Sequence, residues 1–148
     1  FTFLIDFQEI YYTDVASVSN PFLPNLQLAR LGDDEGAGFG WEDMAVLKLG
    51  FQYEAGNSWV WRFGYSTGDQ PIPRTEVMFN ILAPGVMEEH FTFGFTKQIS
   101  PSRAWNFSLM HAPSSSVTGP NPLEFPGAQE IELKMDQWDL ELSYSWGF

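Results

Sequence analysis

The sequence has no cysteine, which excludes disulfides, thiolate metal sites and a cysteine nucleophile. Basic residues are scarce, seven against 19 acidic ones, for a formal net charge of −12. Phosphate backbones and anionic cytosolic membrane surfaces are bound with Lys and Arg, so this balance speaks against both as partners. Long apolar runs are missing too. No stretch approaches the roughly 18 continuous apolar residues of a membrane helix, and the mean hydropathy is only −0.17. A strand with one apolar and one polar face escapes such hydropathy windows, so a membrane-spanning sheet stays open. Histidine is limited to His90 and His111.

What is abundant is aromatic: 17% of the residues are Phe, Trp or Tyr. They recur in alternation. The stretch from Trp138 to Phe148 has Trp138, Leu140, Leu142, Tyr144, Trp146 and Phe148 on one parity and Asp139, Glu141, Ser143, Ser145 and Gly147 on the other. A period of two marks a strand with unlike faces. A tilted strand crosses a bilayer core with about 9–11 residues. Strands are predicted at about 2–12, 41–54, 59–67, 89–97, 104–112 and 129–148. Phe91, Phe93 and Phe95 point outward, and His90, Thr92, Gly94 and Thr96 inward. In the last strand the apolar phase is odd at Ile131, Leu133 and Met135 and even from Trp138, which predicts a bulge or bend near Asp136-Gln137. Short turns at 55–58 and 99–103 alternate with long loops at 14–38, 68–88 and 113–127. Within 68–88, Thr75–Leu82 is too apolar for a solvated loop and is expected to fold onto something.

The reading is all-β: a transmembrane antiparallel β-barrel with long extracellular loops, short periplasmic turns and a periplasmic C-terminus. Tyr53, Trp59, Trp105, Trp146 and Phe148 are expected in a lower aromatic girdle, and Tyr11, Tyr12, Trp41, Tyr65 and Trp138 in an upper one. A membrane barrel needs about eight strands at least, and an open edge leaves backbone groups unsatisfied in lipid. The first residues, Phe1 to Phe7, already read as mid-strand. Either the chain oligomerises to close or strands that precede Phe1 close it, and the mid-strand start favours the second: the expectation is the C-terminal part of one barrel domain. The acidic runs Asp33-Asp34-Glu35 and Glu88-Glu89 read as solvated loop tips, with divalent-cation bridging to lipopolysaccharide as the functional alternative.

Gly36-Ala37-Gly38-Phe39-Gly40-Trp41-Glu42-Asp43, Lys48-Leu49-Gly50, Trp61-Arg62-Phe63-Gly64-Tyr65, Gln70-Pro71-Ile72-Pro73, Phe79-Asn80-Ile81-Leu82-Ala83-Pro84-Gly85-Val86 and the ending Ser143-Tyr144-Ser145-Trp146-Gly147-Phe148 occur in this order over nearly the whole chain. Together they resemble the C-terminal part of the long-chain fatty acid transporter family of Gram-negative outer membranes, which includes aromatic-hydrocarbon channels. The resemblance implies the last six strands of a fourteen-stranded barrel with an N-terminal hatch. It implies passive uptake of long-chain fatty acids or other hydrophobic small molecules, and recognition of strand 138–148 by barrel-assembly machinery. The family's hatch and lateral opening lie in its N-terminal half and map onto no residue here.

A fatty acid needs an apolar lining and a cation. Phe79, Ile81, Leu82, Pro84, Val86 and Met87 are candidates for the first, and Lys48 and Arg62 for the second. The alternatives are that the loop residues pack on the rim and that each cation pairs with Glu54, Glu132 or Glu141. No catalytic constellation, metal site or cofactor motif stands out. Ser114-Ser115-Ser116 lacks a nucleophile-elbow pattern. An adhesin or phage receptor acting through the long loops is the second reading. An outer-membrane lipid hydrolase using His90 or His111 is the third.

Overall fold

The computed structural model describes residues 1–125 and 128–147. Six strands form one antiparallel sheet in chain order: β1 Thr2–Ile10, β2 Met44–Ala55, β3 Trp59–Gly68, β4 Glu89–Ser100, β5 Arg103–Pro120 and β6 Glu130–Trp146. The chain is all-β and antiparallel as expected. The sheet stays open, with β1 and β6 as its edges. No helix of the described residues is long and apolar enough to cross a membrane.

The register keeps the alternation in phase across all six strands. Phe3 faces Phe51, Phe51 faces Phe63, Phe63 faces Phe93, Phe93 faces Leu109 and Leu109 faces Leu140. One face is therefore aromatic and aliphatic from edge to edge. The rings touch across strands: Trp61 lies 5.4 Å from Phe95, and Phe95 lies 5.2 Å from Phe107. Such cross-strand pairs each add roughly 0.2–1 kcal/mol and pin the register, because a one-residue slip would move every ring to the other face. The opposite face carries Asp6, Lys48, Gln52, Arg62, Thr92, Thr96, Asn106, Asp139 and Glu141 at matching levels. The β2–β3 turn is tight because Asn57 and Ser58 take left-handed backbone at φ 65° and 66°.

The third long loop is shorter than expected. Residues 113–120 continue β5 and pair with β6 from Ser115↔Met135 to Pro120↔Glu130, leaving only 121–129 as the connection. Pro113 is compatible with this because it sits where the register shifts between Ala112 and Ser115: Pro113 and Ser114 together oppose Asp136. A bulge is one of the few places where a sheet accepts proline. The bulge falls at the level expected, but the extra residue is on β5. Ile131, Leu133 and Met135 thus stay on the polar-side face, where they find apolar partners. Above the bulge that face is apolar and the other carries Glu132, Lys134 and Asp136.

Those partners come from the connectors 11–43 and 69–88. Ile72, Val77, Val86, Val117 and Leu133 form a buried cluster, flanked by Trp41, Ile131 and Met135. Short helical turns at Arg74–Glu76 and Phe79–Leu82 shape the second connector, in line with the expectation for 75–82. Gly119 lies so close beneath Arg74 that a Cβ would stand 1.7 Å from its carbonyl oxygen. Phe79 stacks between Phe22 and Phe39, with centroids 4.9 and 5.0 Å away. The fastening group is Asn80, wholly buried: Trp41 Nε1 donates to its Oδ1 at 2.6 Å, and its Nδ2 donates to the carbonyls of Phe39 and Glu76 at 2.7 and 2.9 Å. Glu76 in turn accepts the Phe22 N–H at 2.8 Å. The two connectors make one cap.

Two members of the expected upper girdle belong to this cap instead. Trp41 and Tyr12 meet edge to face at 4.9 Å. They lie outside the strands because β1 ends at Ile10 and β2 begins at Met44. Tyr65 and Trp138 keep their places on the aromatic face. At the other end Tyr53, Trp59, Trp105 and Trp146 flank the short turns as expected, whereas Phe148 lies outside the described residues.

Candidate functional site

Three strands carry glycine between two bulky apolar residues: Leu49-Gly50-Phe51, Phe63-Gly64-Tyr65 and Phe93-Gly94-Phe95. Gly50 pairs with Gly64, Gly64 with Thr92, and Arg62 with Gly94, so the three glycines cluster on the polar face. Two of them, Gly50 and Gly94, line a cavity of about 410 Å³, bordered by Leu4, Gln52, Arg62, Thr96, Asn106 and Glu141 among others. Side chains at Gly64 and Gly94 would crowd their neighbours. A Cβ on Gly94 would stand 2.9 Å from the Phe107 carbonyl oxygen, and one on Gly64 would stand 2.4 Å from Thr92 Oγ1. Glycine here permits both the close strand packing and the open floor.

Arg62 stands at this floor, held by neutral groups. Its Nε donates to Gln52 Oε1 at 2.9 Å and its Nη1 to Thr96 Oγ1 at 2.8 Å; the Thr96 hydroxyl donates onward to Asn106 Oδ1 at 2.9 Å. Among the described residues Lys48 pairs with Asp6, the His111 ring lies 3.5 Å from Asp136, and no described carboxylate pairs with Arg62. An oriented guanidinium with a positive charge left unneutralised suits a carboxylate ligand, because its donor fork matches two oxygens.

The remaining candidates divide. Lys48 shares the polar face, but it lies four register steps from the level of Arg62 on β2, roughly 13 Å along the strand. It is engaged by Asp6 at 3.6 Å and Gln8 at 2.8 Å rather than by Glu54, Glu132 or Glu141. Val86 is buried in the cap core, and the half-buried Phe79 stacks between Phe22 and Phe39. Pro84 and Met87 are half-buried, while Ile81 and Leu82 are 55% and 74% exposed at the cap surface. None of these six loop residues borders the Arg62 cavity.

His90 and His111 fall on opposite faces of the sheet, His90 opposite Ser66 on the polar face and His111 stacked on Trp138 at 3.9 Å. They cannot act as a pair. Among the described residues no group of three or more His, Asp or Glu side chains is placed to hold a metal ion. Sequence reasoning missed Gln52, Thr96 and Asn106 as the groups that orient Arg62, and the glycine floor beneath it. The repeated apolar-Gly-apolar triplet in three strands was the available signal for the floor. Nothing local marks the orienting groups, which meet only through register. Comparison with family models, with curated proteins and with solved structures finds no match.

Proposed function

We propose that the chain is part of the wall of an outer-membrane β-barrel that passes hydrophobic compounds, long-chain fatty acids foremost, with Arg62 receiving the carboxylate. The observation that carries this reading is the pairing of an exposed aromatic face with a polar face that holds an uncommitted arginine above a glycine-floored cavity. On β6 the aromatic band runs from Trp138 to Trp146. That is roughly 27 Å along the strand and about 21 Å along the membrane normal at a 40° tilt, near the ~25 Å apolar band of such barrels. In water the same face would be a contiguous apolar patch far larger than soluble monomers expose. The cap, packed on the polar side of the β5–β6 extension, stands over the mouth of the lumen in this reading.

The test is ligand affinity of the full-length chain. Arg62→Gln is expected to weaken binding of a long-chain fatty acid about 10–100-fold, the worth of a hydrogen-bonded charge. Binding of the alcohol of equal chain length should be unchanged. Gly50→Leu, which puts bulk at the cavity lining against the Leu4 side chain, should weaken acid and alcohol alike. Free sugar permeation through the lumen, or equal loss of acid and alcohol binding in Arg62→Gln, would overturn the assignment.

The ordered cap gives the receptor reading one specific support, since a fixed surface is what a phage or host protein recognises. Ile81→Ser with Leu82→Ser alters that surface without touching the Arg62 cavity. Loss of phage adsorption with fatty acid uptake intact would favour the receptor role.

A further inference from the structure

The aromatic face ends on its short-turn side in a rim with its own chemistry. Tyr53, Trp59, Trp105, Tyr144 and Trp146 stand there, and two of the chain's seven basic residues stand among them. Lys97 lies between Trp59 and Trp105 on the neighbouring strands. Its ammonium is 4.9 Å from the Trp59 ring centroid and donates to the Asn57 carbonyl at 2.6 Å. Arg103 faces Trp146, and with Ser102, Tyr144 and Gly147 it borders an open cleft of about 420 Å³. The nearest acidic residues, Glu54 and Glu141, belong to the polar face. Among the described residues this rim therefore carries two cations and no carboxylate, in a chain of net charge −12. The opposite end of the same face carries Glu89, Glu132 and Asp136 around a single Lys134. The charge is segregated along the strand axis.

We propose that this rim binds the phosphate of an anionic glycerophospholipid head group in the periplasmic leaflet. The inference rests on the membrane reading above and adds a site to it. Arg103 presents a fork to the phosphate oxygens, with the Ser102 hydroxyl beside it, and Lys97 supplies a second point charge along the rim. Trp105, Tyr144 and Trp146 take the depth of the glycerol backbone, where amphipathic rings settle. The acidic opposite end repels the same ligand, so the preference belongs to one leaflet.

The experiment uses the full-length chain in bilayer nanodiscs of phosphatidylethanolamine with phosphatidylglycerol, followed by native mass spectrometry of the lipids retained after extraction. The wild type should retain phosphatidylglycerol, and excess inorganic phosphate should not displace it. Lys97→Gln or Arg103→Gln should each lower retention about fivefold, and the pair about 25-fold. Lys134→Gln, at the other end, should change nothing. Arg103→Lys keeps the charge and should retain more lipid than Arg103→Gln, which separates a phosphate contact from a folding defect. Equal retention by the double variant and the wild type overturns the site, and displacement by inorganic phosphate overturns the lipid as its ligand. Failure of the wild type to enter the bilayer at all overturns the membrane reading instead.

Discussion

Asn80→Leu is expected to open the cap at a cost of about 3–5 kcal/mol. The side chain is wholly buried and serves three partners: the Trp41 indole N–H and the carbonyls of Phe39 and Glu76. Leucine fills a similar volume but satisfies none of them. Three partly buried polar groups would lose their partners together, at about 1–3 kcal/mol each, with relief from water entering as the cap loosens. The damage spreads because the same turn holds Glu76 against the Phe22 N–H and Phe79 between Phe22 and Phe39. Limited proteolysis of the full-length chain checks this. Cleavage within 69–88 should accelerate by two orders of magnitude or more, as an opening energy lowered by about 3 kcal/mol requires. The strands should resist as before. An unchanged cleavage rate would mean that Asn80 is not the fastening. Asn80→Asp is the companion: it keeps the acceptor for Trp41 but turns a buried carboxylate oxygen towards the Phe39 and Glu76 carbonyls, and it should open the cap at least as far as Asn80→Leu.

The cap also shows where the sequence stops being readable. The apolar content of 75–82 announced that this segment packs on something, and it does. Its partners were hidden, because Phe22, Phe39 and Trp41 lie 34 or more residues earlier in the chain, in a loop and at the start of a strand. Trp41 looked like a girdle residue because it was read as the first residue of the strand 41–54. Only the fold reveals that β2 starts three residues later and that the indole turns to Asn80. The error at 113–127 has a related cause. Proline, serine and glycine density reads as loop when strands are judged one at a time. Beyond the end of the aromatic band the outward face is polar, and Ser116 and Thr118 stand opposite Lys134 and Glu132. The phase change at Asp136 carried that information. It marks a change of surroundings along one hairpin, with the apolar residues meeting the cap on one side and the aromatic band ending on the other.

The strands themselves were legible because period-two alternation is a local property that survives into the sheet. The pair Lys48 and Arg62 was legible only as two cations on one face. Their separation by four register steps, and the contrast between an acid-paired lysine and an arginine held by amides and a hydroxyl, depends on cross-strand neighbours. Arg62 emerges as the better carboxylate candidate on that ground.

Leu142→Arg decides what the aromatic face meets. Leu142 lies midway between Trp138 and Trp146 on β6, is 62% exposed, and faces Phe107 on the aromatic side. Against water, an exposed leucine replaced by arginine shifts stability by no more than about 0.5 kcal/mol and makes the protein more soluble. Against lipid, the same change places a cation at the centre of the apolar band and costs about 2–4 kcal/mol. The two environments therefore predict different magnitudes from one substitution. Depth adds a second constraint. Trp146→Arg, at the short-turn rim beside Arg103, should cost only about 0–1 kcal/mol in lipid, because the penalty fades towards the interface. Glu141→Gln, one residue away from Leu142 but on the polar face, should be nearly silent. Denaturant unfolding of the full-length chain from vesicles measures all three. A large loss at 142, a small one at 146 and little at 141 is a profile that a lipid-facing strand produces and that an aqueous surface does not. A flat profile would remove the membrane from the account, and the Arg62 cavity would then have to be explained as part of a sheet covered by protein.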